Sequence, residues 1–148
     1  ARATVANLPR HVAERELAVV AKRLGWKKSE MEIEEAAADG PGNVLELRVE
    51  ASGGAELATG FGAAGLPAER VAERACRELS RYVKAKVPVG EHLADQLLVP
   101  LALAGGGSFV TTDLTRHATT NASVIERFLP VRIGVAEEGN RIRRVTVE

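Results

Sequence analysis

The chain has 148 residues, enough to bury a core and of a length that corresponds to about one domain or two small ones. Hydrophobic residues make up 45% and charged residues 27%, the balance of an ordinary globular protein, and an aromatic share of 3% leaves Val, Leu, Ile and Ala to build the core. Twenty basic residues against twenty acidic ones give zero formal net charge, which argues against a broad basic footprint for nucleic acid and leaves only local contact, as at a strand end.

Residues 4–7 read as a short strand, and Pro9 sits where a first helical turn tolerates proline. The segment 10–25 sets Val12, Glu16, Val19, Val20 and Leu24 at helical spacing and stops at Gly25. Residues 31–38 alternate Met31 and Ile33 against Glu32 and Glu34, a strand with one wet face. Asp39, Gly40, Pro41, Gly42 and Asn43 form a turn by composition. Residues 44–51 alternate again, so the two runs are expected to pair as a hairpin. Ser52, Gly53 and Gly54 read as a second turn, and residues 56–63 as a third strand. Pro67 opens a helix through residue 87, with Val71, Ala75, Leu79 and Tyr82 as its core stripe. The order to this point is strand, helix, three strands, helix, a compact α/β module. Val87, Pro88, Val89 and Gly90 form the expected seam.

Beyond the seam, residues 91–104 read as an apolar helix, 108–112 as a strand and 119–129 as a helix. Residues 131–137 are expected to pair with 141–147 across Glu138, Gly139 and Asn140. Helix, strand, helix, strand, strand is a unit lacking its first strand, which an earlier part of a longer chain, or residues 3–6, would supply. The chain also starts at Ala1 without an initiator Met and reads as a fragment or a nicked product. No internal repeat or low-complexity segment interrupts it.

A single cysteine, Cys76, excludes an intrachain disulfide and thiolate-rich metal sites, and its helical apolar setting makes it a buried structural thiol. The longest apolar run, LLVPLALAG, is interrupted by Pro100 and falls short of the roughly 18 residues a membrane span needs. With no secretory signal either, the reading is cytoplasmic, with no membrane partner.

The residues able to do chemistry gather late in the chain. His117 follows a glycine run, Gly105 to Gly107, and a strand, and it is expected just before a helix start. It reads either as a surface or capping histidine or as a nucleophile. A neutral imidazole can attack an α-phosphate and hold the nucleotidyl group as a phosphoramidate. Free N–H groups of the following helix, with Thr119, Thr120 and Asn121, would offer donors to phosphate, and the glycines let backbone approach a ligand. Asp95 and Gln96 head a helix patterned by Leu93, Ala94, Leu97, Leu98 and Leu101, so they either face a partner or cavity or lie on the solvent face of the first turn. His11 and His92 near helix starts are ordinary surface residues on the same basis, and Arg10, Arg15 and Arg23 read as a solvated face, with contact to phosphate as the other possibility. There is no second histidine at metal-ligand spacing with a carboxylate, no G-x-S-x-G elbow and no P-loop. Trp26 stands alone, so no stacking platform for single strands is evident.

At these residues a resemblance enters. EHLADQLLVPLALAGGGSF, the run HATTN that opens at His117, and VIERFLPVRI resemble the C-terminal third of the RNA 3′-terminal phosphate cyclase family. NLPRHVAEREL and the GPGN turn resemble the same family in the region of its inserted small domain. The likeness covers essentially this whole chain, but only the last part of a typical cyclase. HLADQ and R-H-x-x-T-N are its specific strings, whereas the hairpins are not.

The resemblance implies an α/β (α+β) fold. A small inserted α/β domain, residues 1–86, would precede the end of a large catalytic domain, residues 87–148, which holds part of one βαβαββ repeat unit. It implies an enzyme that uses ATP and a divalent metal, Mg2+ or Mn2+, to adenylylate a histidine and passes AMP to an RNA 3′-phosphate. The neighbouring 2′-hydroxyl then displaces AMP and leaves a 2′,3′-cyclic phosphate. His117 matches the adenylylated histidine, and His92, Leu93, Ala94, Asp95 and Gln96 match the ATP-binding segment; no metal ligand is assigned to these residues. The implied partners are an RNA 3′-phosphate end and the remaining N-terminal part of the same enzyme, without which these residues are expected to be inactive. A related branch works in ribosome biogenesis through protein contacts, without cyclase activity, and lacks the histidine. The presence of His117 favours the enzyme branch. Enolpyruvyl transferases share the repeated-unit architecture but rely on several basic residues around phosphate, and this segment has no such cluster.

Overall fold

Alternation of small apolar and charged side chains sets the first sheet. β1 (Arg2–Ala6) buries Ala3 and Val5 on one face and turns Arg2 and Thr4 to the other. It is followed by α1 (His11–Leu24), a 3-10 turn at Lys28–Glu30, β2 (Glu32–Glu35), β3 (Gly42–Ala51), β4 (Gly54–Phe61) and α2 (Ala68–Ala85). The computed structural model describes residues 1–51 and 54–148, with four helices and two sheets among them, an α+β fold. They form two compact units, Ala1–Glu50 with Ala55–Arg81, and Ala51–Gly54 with Tyr82–Glu148. The turn expected at Ser52 and Gly53 lies outside the described residues.

The first sheet runs β2-β1-β3-β4. The expected hairpin between residues 31–38 and 44–51 is therefore not formed, because β1 lies between them, parallel to β2 (Ala3 opposite Ile33) and antiparallel to β3 (Ala3 opposite Leu45). The cause is burial. β2 has four residues, three of them glutamates, and suits only an edge, where charge also blocks further pairing. β1 has Ala3 and Val5 at 0% and 2% exposure and tolerates neighbours on both sides. Arg2 stands opposite Glu32 in this register and pairs with it at 2.6 Å on the exposed face. Asn7, expected as the strand's last residue, instead turns the chain at φ 49° and donates to the Ala38 carbonyl at 2.7 Å.

Helix α1 covers the sheet with Ala13, Glu16, Leu17 and Val20; Glu16 and Val20 of the expected stripe are buried, whereas Val12, Val19 and Leu24 are only partly buried and Ala13 and Leu17 take their place. Gly25 ends it in the left-handed conformation, φ 73°. Helix α2 contributes Ala72, Ala75, Cys76 and Leu79 to the same core, each of the larger apolar groups adding about 1.5–3 kcal/mol by leaving water. Cys76 is buried as expected, and that burial pushes its thiol up to about 11. Arg10, Arg15 and Arg23 are all held by carboxylates, Glu35 at 2.8 Å, Glu69 at 2.6 Å and Glu73 at 3.1 Å, so within the unit α1 is tied to both β2 and α2.

Gly60 on β4 lets α2 lie directly on the strand. A Cβ there would stand 2.8 Å from Val71 Cγ1 and 3.2 Å from the Val71 carbonyl oxygen. Because backbone is among the obstacles, Gly60→Ala should lower stability by about 1–3 kcal/mol through displacement of α2. Urea denaturation of the two proteins checks this, and coincident midpoints would show that the helix yields freely.

The second unit contains α3 (Glu91–Leu103), β5 (Gly107–Thr112), α4 (Arg116–Phe128), β6 (Ile133–Gly139) and β7 (Ile142–Val147). Its antiparallel sheet runs β5-β7-β6, with the core made by Phe109, Val145 and Val147 from the sheet and Ala94, Leu98, Ala118 and Ile125 from the helices. Residues 3–6 do not supply a further strand to this sheet, because they are committed to β1 in the first one. Gly105, Gly106 and Gly107 turn the chain from α3 into β5 at φ 84°, 132° and 150°. At Gly106 a Cβ would stand 2.9 Å from the Val147 carbonyl oxygen and at Gly107 2.7 Å from a Leu101 methyl, whereas Gly105 faces open space. The hairpin turn falls on Asn140 and Arg141, not on Glu138 to Asn140: β6 extends through Gly139, with a register irregularity between Glu137 and Gly139. Arg141 adopts φ 61° there, and its guanidinium pairs with Asp113 at 2.8 Å, a carboxylate that Arg143 of β7 also meets at 2.9 Å.

Candidate functional site

Helix α4 starts earlier than its sequence suggests. Thr115 is its N-cap, with Oγ1 accepting from the Ala118 N–H at 3.1 Å. His117 therefore lies inside the first turn of the helix and does not precede it. The threonines that follow are exposed, with Thr119 and Thr120 donating their hydroxyls back to the Arg116 carbonyl at 3.0 and 2.9 Å. The Asn121 amide donates to Asp95 Oδ1 at 3.0 Å. Both hydroxyls and one hydrogen of the Asn121 amide are thus engaged within the protein, and the second amide hydrogen has its own donor capacity.

The packing of α3 against α4 brings the two ends of the candidate segment together. His117 Nδ1 lies 2.8 Å from Asp95 Oδ2. Asp95 accepts at both oxygens, from His117 and from Asn121, which stand one helical turn apart on the same face of α4. The partners differ sharply in exposure: the imidazole is 83% exposed, whereas the Asp95 side chain is 22% exposed. A carboxylate has only acceptors to offer, so Nδ1 carries a ring hydrogen, and in the neutral ring it is Nε2 that holds the lone pair. The result is a histidine anchored on its inner nitrogen and open on its outer one. No acidic residue lies in the first turn of α4, and the positive end of the helix dipole acts on that same region.

The rest of the HLADQ segment is spread around its helix. Ala94 is fully buried in the core of the unit and Leu93 packs against that core, while His92 and Gln96 are exposed. The His92 Nε2 lies 3.9 Å from a Glu91 carboxylate oxygen. Of the five residues, Asp95 alone is hydrogen-bonded to His117. The part of Asn121 that sequence reasoning missed is its attachment to Asp95. The only signal for it was the four-residue spacing from His117, which has meaning once both are placed on one helix. Among the described residues no group of three or more His, Cys, Asp or Glu is placed to hold a metal ion. A cavity of about 660 Å3 belongs to the first unit, lined by residues that include Arg2, Met31, Glu46, Arg48 and Leu57, and takes in no residue of the candidate segment. No helix among the described residues is long and apolar enough to cross a membrane.

Comparison with known proteins bears on both units. Residues 1–84 match the family described as RNA 3′-terminal phosphate cyclase (RTC), insert domain. A protein of Pseudomonas aeruginosa (strain UCBPP-PA14) named RNA 3′-terminal phosphate cyclase is 50% identical over 135 residues, 90% of this chain and 40% of its own length. One of the same name from Ectopseudomonas mendocina (strain ymp) is 47% identical over 146 residues, 98% of this chain and 43% of its own. A third, from Salmonella typhimurium, is 41% identical over 145 residues, 97% and 42% of the respective chains. The chain thus spans about two-fifths of the length of the curated relatives it matches. The match of the first unit to the insert domain, and of nearly the whole chain to these relatives, makes the chain a member of the RNA 3′-terminal phosphate cyclase family.

Proposed function

We propose that this chain carries the adenylyl-accepting histidine of an ATP-dependent RNA 3′-phosphate cyclase, and that His117 Nε2 is the nucleophile. The observation that carries the reading is the ring itself: Nδ1 is held by Asp95 at 2.8 Å while the remainder of the imidazole is open to solvent. An imidazole fixed in this way presents one lone pair in one direction, which is what attack on phosphorus requires.

In the proposed sequence the Nε2 lone pair forms a bond to the α-phosphorus of ATP. The bond from that phosphorus to the bridging oxygen breaks, and pyrophosphate leaves with the electron pair. The substituted imidazole is then cationic, with its Nδ1 hydrogen still directed at the Asp95 carboxylate, so the charge that develops faces a fixed counter-charge. An oxygen of an RNA 3′-phosphate next attacks the same phosphorus, and the N–P bond returns its electrons to Nε2. Finally the neighbouring 2′-hydroxyl attacks the activated 3′-phosphate, loses its proton and expels AMP, which closes the 2′,3′-cyclic ester. The resemblance calls for a divalent cation as well, which would screen triphosphate charge.

The test uses the full-length protein with ATP labelled at the α-phosphate. Labelled AMP should remain on the protein after denaturation, and His117→Ala should abolish the label. Label that persists in that variant would reject the assignment of His117.

A further inference from the structure

We propose that Asn121 is a positioning residue for the same step, acting on His117 through Asp95; the inference rests on the nucleophile reading given above. The Asn121 amide donates to Asp95 Oδ1 at 3.0 Å, and His117 Nδ1 meets Oδ2 at 2.8 Å. A carboxylate held at one oxygen only turns readily about its last torsion, for which two-fold, broad minima are the rule. Held at both, its plane is fixed. Both holders come from α4, four residues apart, and the acceptor comes from α3. The carboxylate therefore cannot rotate away from the imidazole without breaking a second hydrogen bond.

This arrangement controls which nitrogen of His117 is nucleophilic. With Asp95 pinned, the ring hydrogen stays on Nδ1 and the Nε2 lone pair stays outward. Without the amide, Asp95 gains other orientations toward solvent, the bond to Nδ1 is intermittent, and the ring spends time with hydrogen on Nε2, where it cannot attack phosphorus. Hydrogen-bond partners that orient a metal-ligating histidine typically change activity by about 10–100-fold, and a partner that orients this imidazole in the same way is expected to act in that range. Asn121 is half-buried, consistent with a side chain directed at α3. The backbone-directed hydroxyls of Thr119 and Thr120 leave Asp95 no substitute donor from the intervening positions.

The test compares full-length wild-type protein with the Asn121→Ala, Asn121→Asp and Asn121→Gln variants. One readout is the single-turnover rate of AMP attachment as a function of ATP concentration. The other is nitrogen NMR of labelled histidine, with His117→Ala used to assign the ring. Asn121→Ala should cut the rate constant by about 10–100-fold at an unchanged half-saturating ATP concentration and raise the share of ring hydrogen on Nε2. Asn121→Asp, which keeps the shape should the smaller side chain unfold the protein, should act in the same direction. Asn121→Gln, which retains the donor, should recover part of the rate. An unchanged tautomer and rate in both the Ala and Asp variants would overturn the proposal, as would a slowed rate with an unchanged tautomer, the mark of a merely structural role. A shifted tautomer in a protein whose wild-type form takes no label would sustain the positioning role and sink the nucleophile reading instead.

Discussion

Asp95→Asn in the full-length protein should slow AMP attachment to His117 by about three to four orders of magnitude, with little change in folding stability. The reason lies in hydrogen-bond polarity. Asn121 donates to Oδ1 of Asp95 and would continue to donate to an oxygen at that place, so an amide put there keeps its carbonyl toward Asn121. Its NH2 group is then turned to His117 Nδ1, 2.8 Å away in the parent, and an NH2 can only donate. Nδ1 must accept, the ring hydrogen moves to Nε2, and the outward lone pair is lost. The variant also removes the anion that faces the imidazolium formed on attack. An aspartate replaced in the same way behind a Ser–His pair costs a comparable factor for the same tautomeric reason. Rapid-quench measurement of labelled AMP on the protein checks this, and a variant within tenfold of the wild-type rate would show that Asp95 does not govern the ring.

How much of this was readable beforehand depends on whether an interaction is local. Of the core stripe expected for α2, Val71, Ala75 and Leu79 follow from spacing alone and are buried, whereas Tyr82 at its end is only partly buried. So does the order of elements, because each is set by its own periodicity. The position of β1 between β2 and β3 was not readable, since it depends on which strand best tolerates neighbours on both sides, a comparison between segments some 30 residues apart. The start of α4 was misplaced because Thr119, Thr120 and Asn121 have the composition of a cap just as Thr115 does. Thr115 takes the role through its bond to the Ala118 N–H, and this moves His117 into the helix. That Asp95 faces a partner was one of two readings open from the sequence. Which residues it meets follows only from the packing of α3 on α4.

The second large effect concerns Glu16, a residue that the sequence placed in line with valines and leucines. It is 0% exposed, with Oε1 accepting from the Asn43 amide at 2.6 Å and Oε2 buried without a hydrogen-bond partner in the structure. Gly62 makes room for this arrangement, since a Cβ at that position would stand 1.7 Å from Asn43 Oδ1. Burial raises the carboxyl from 4.5 to about 7, and the Asn43 hydrogen bond opposes the rise only in part. The folded state thus binds the proton more tightly than the unfolded one. The stabilisation from this group is fully present below pH 4.5 and is lost as pH rises through about 7. At about 1.4 kcal/mol per unit between the two pKa values, roughly 3 kcal/mol disappears across that window. Glu16→Gln does not titrate, keeps an acceptor for Asn43 and leaves one buried NH2 unpaired, which costs about 1–3 kcal/mol at every pH. The variant should therefore be the less stable protein at pH 5 and draw level with the wild type, or pass it, at pH 8. Urea midpoints of both proteins from pH 5 to 8 isolate Glu16 from the other titrating groups, because only the difference between the two curves is read. A difference that stays constant over this range would mean that the Glu16 carboxyl titrates alike in the folded and unfolded chain, and that α1 does not hold a neutral acid against β3.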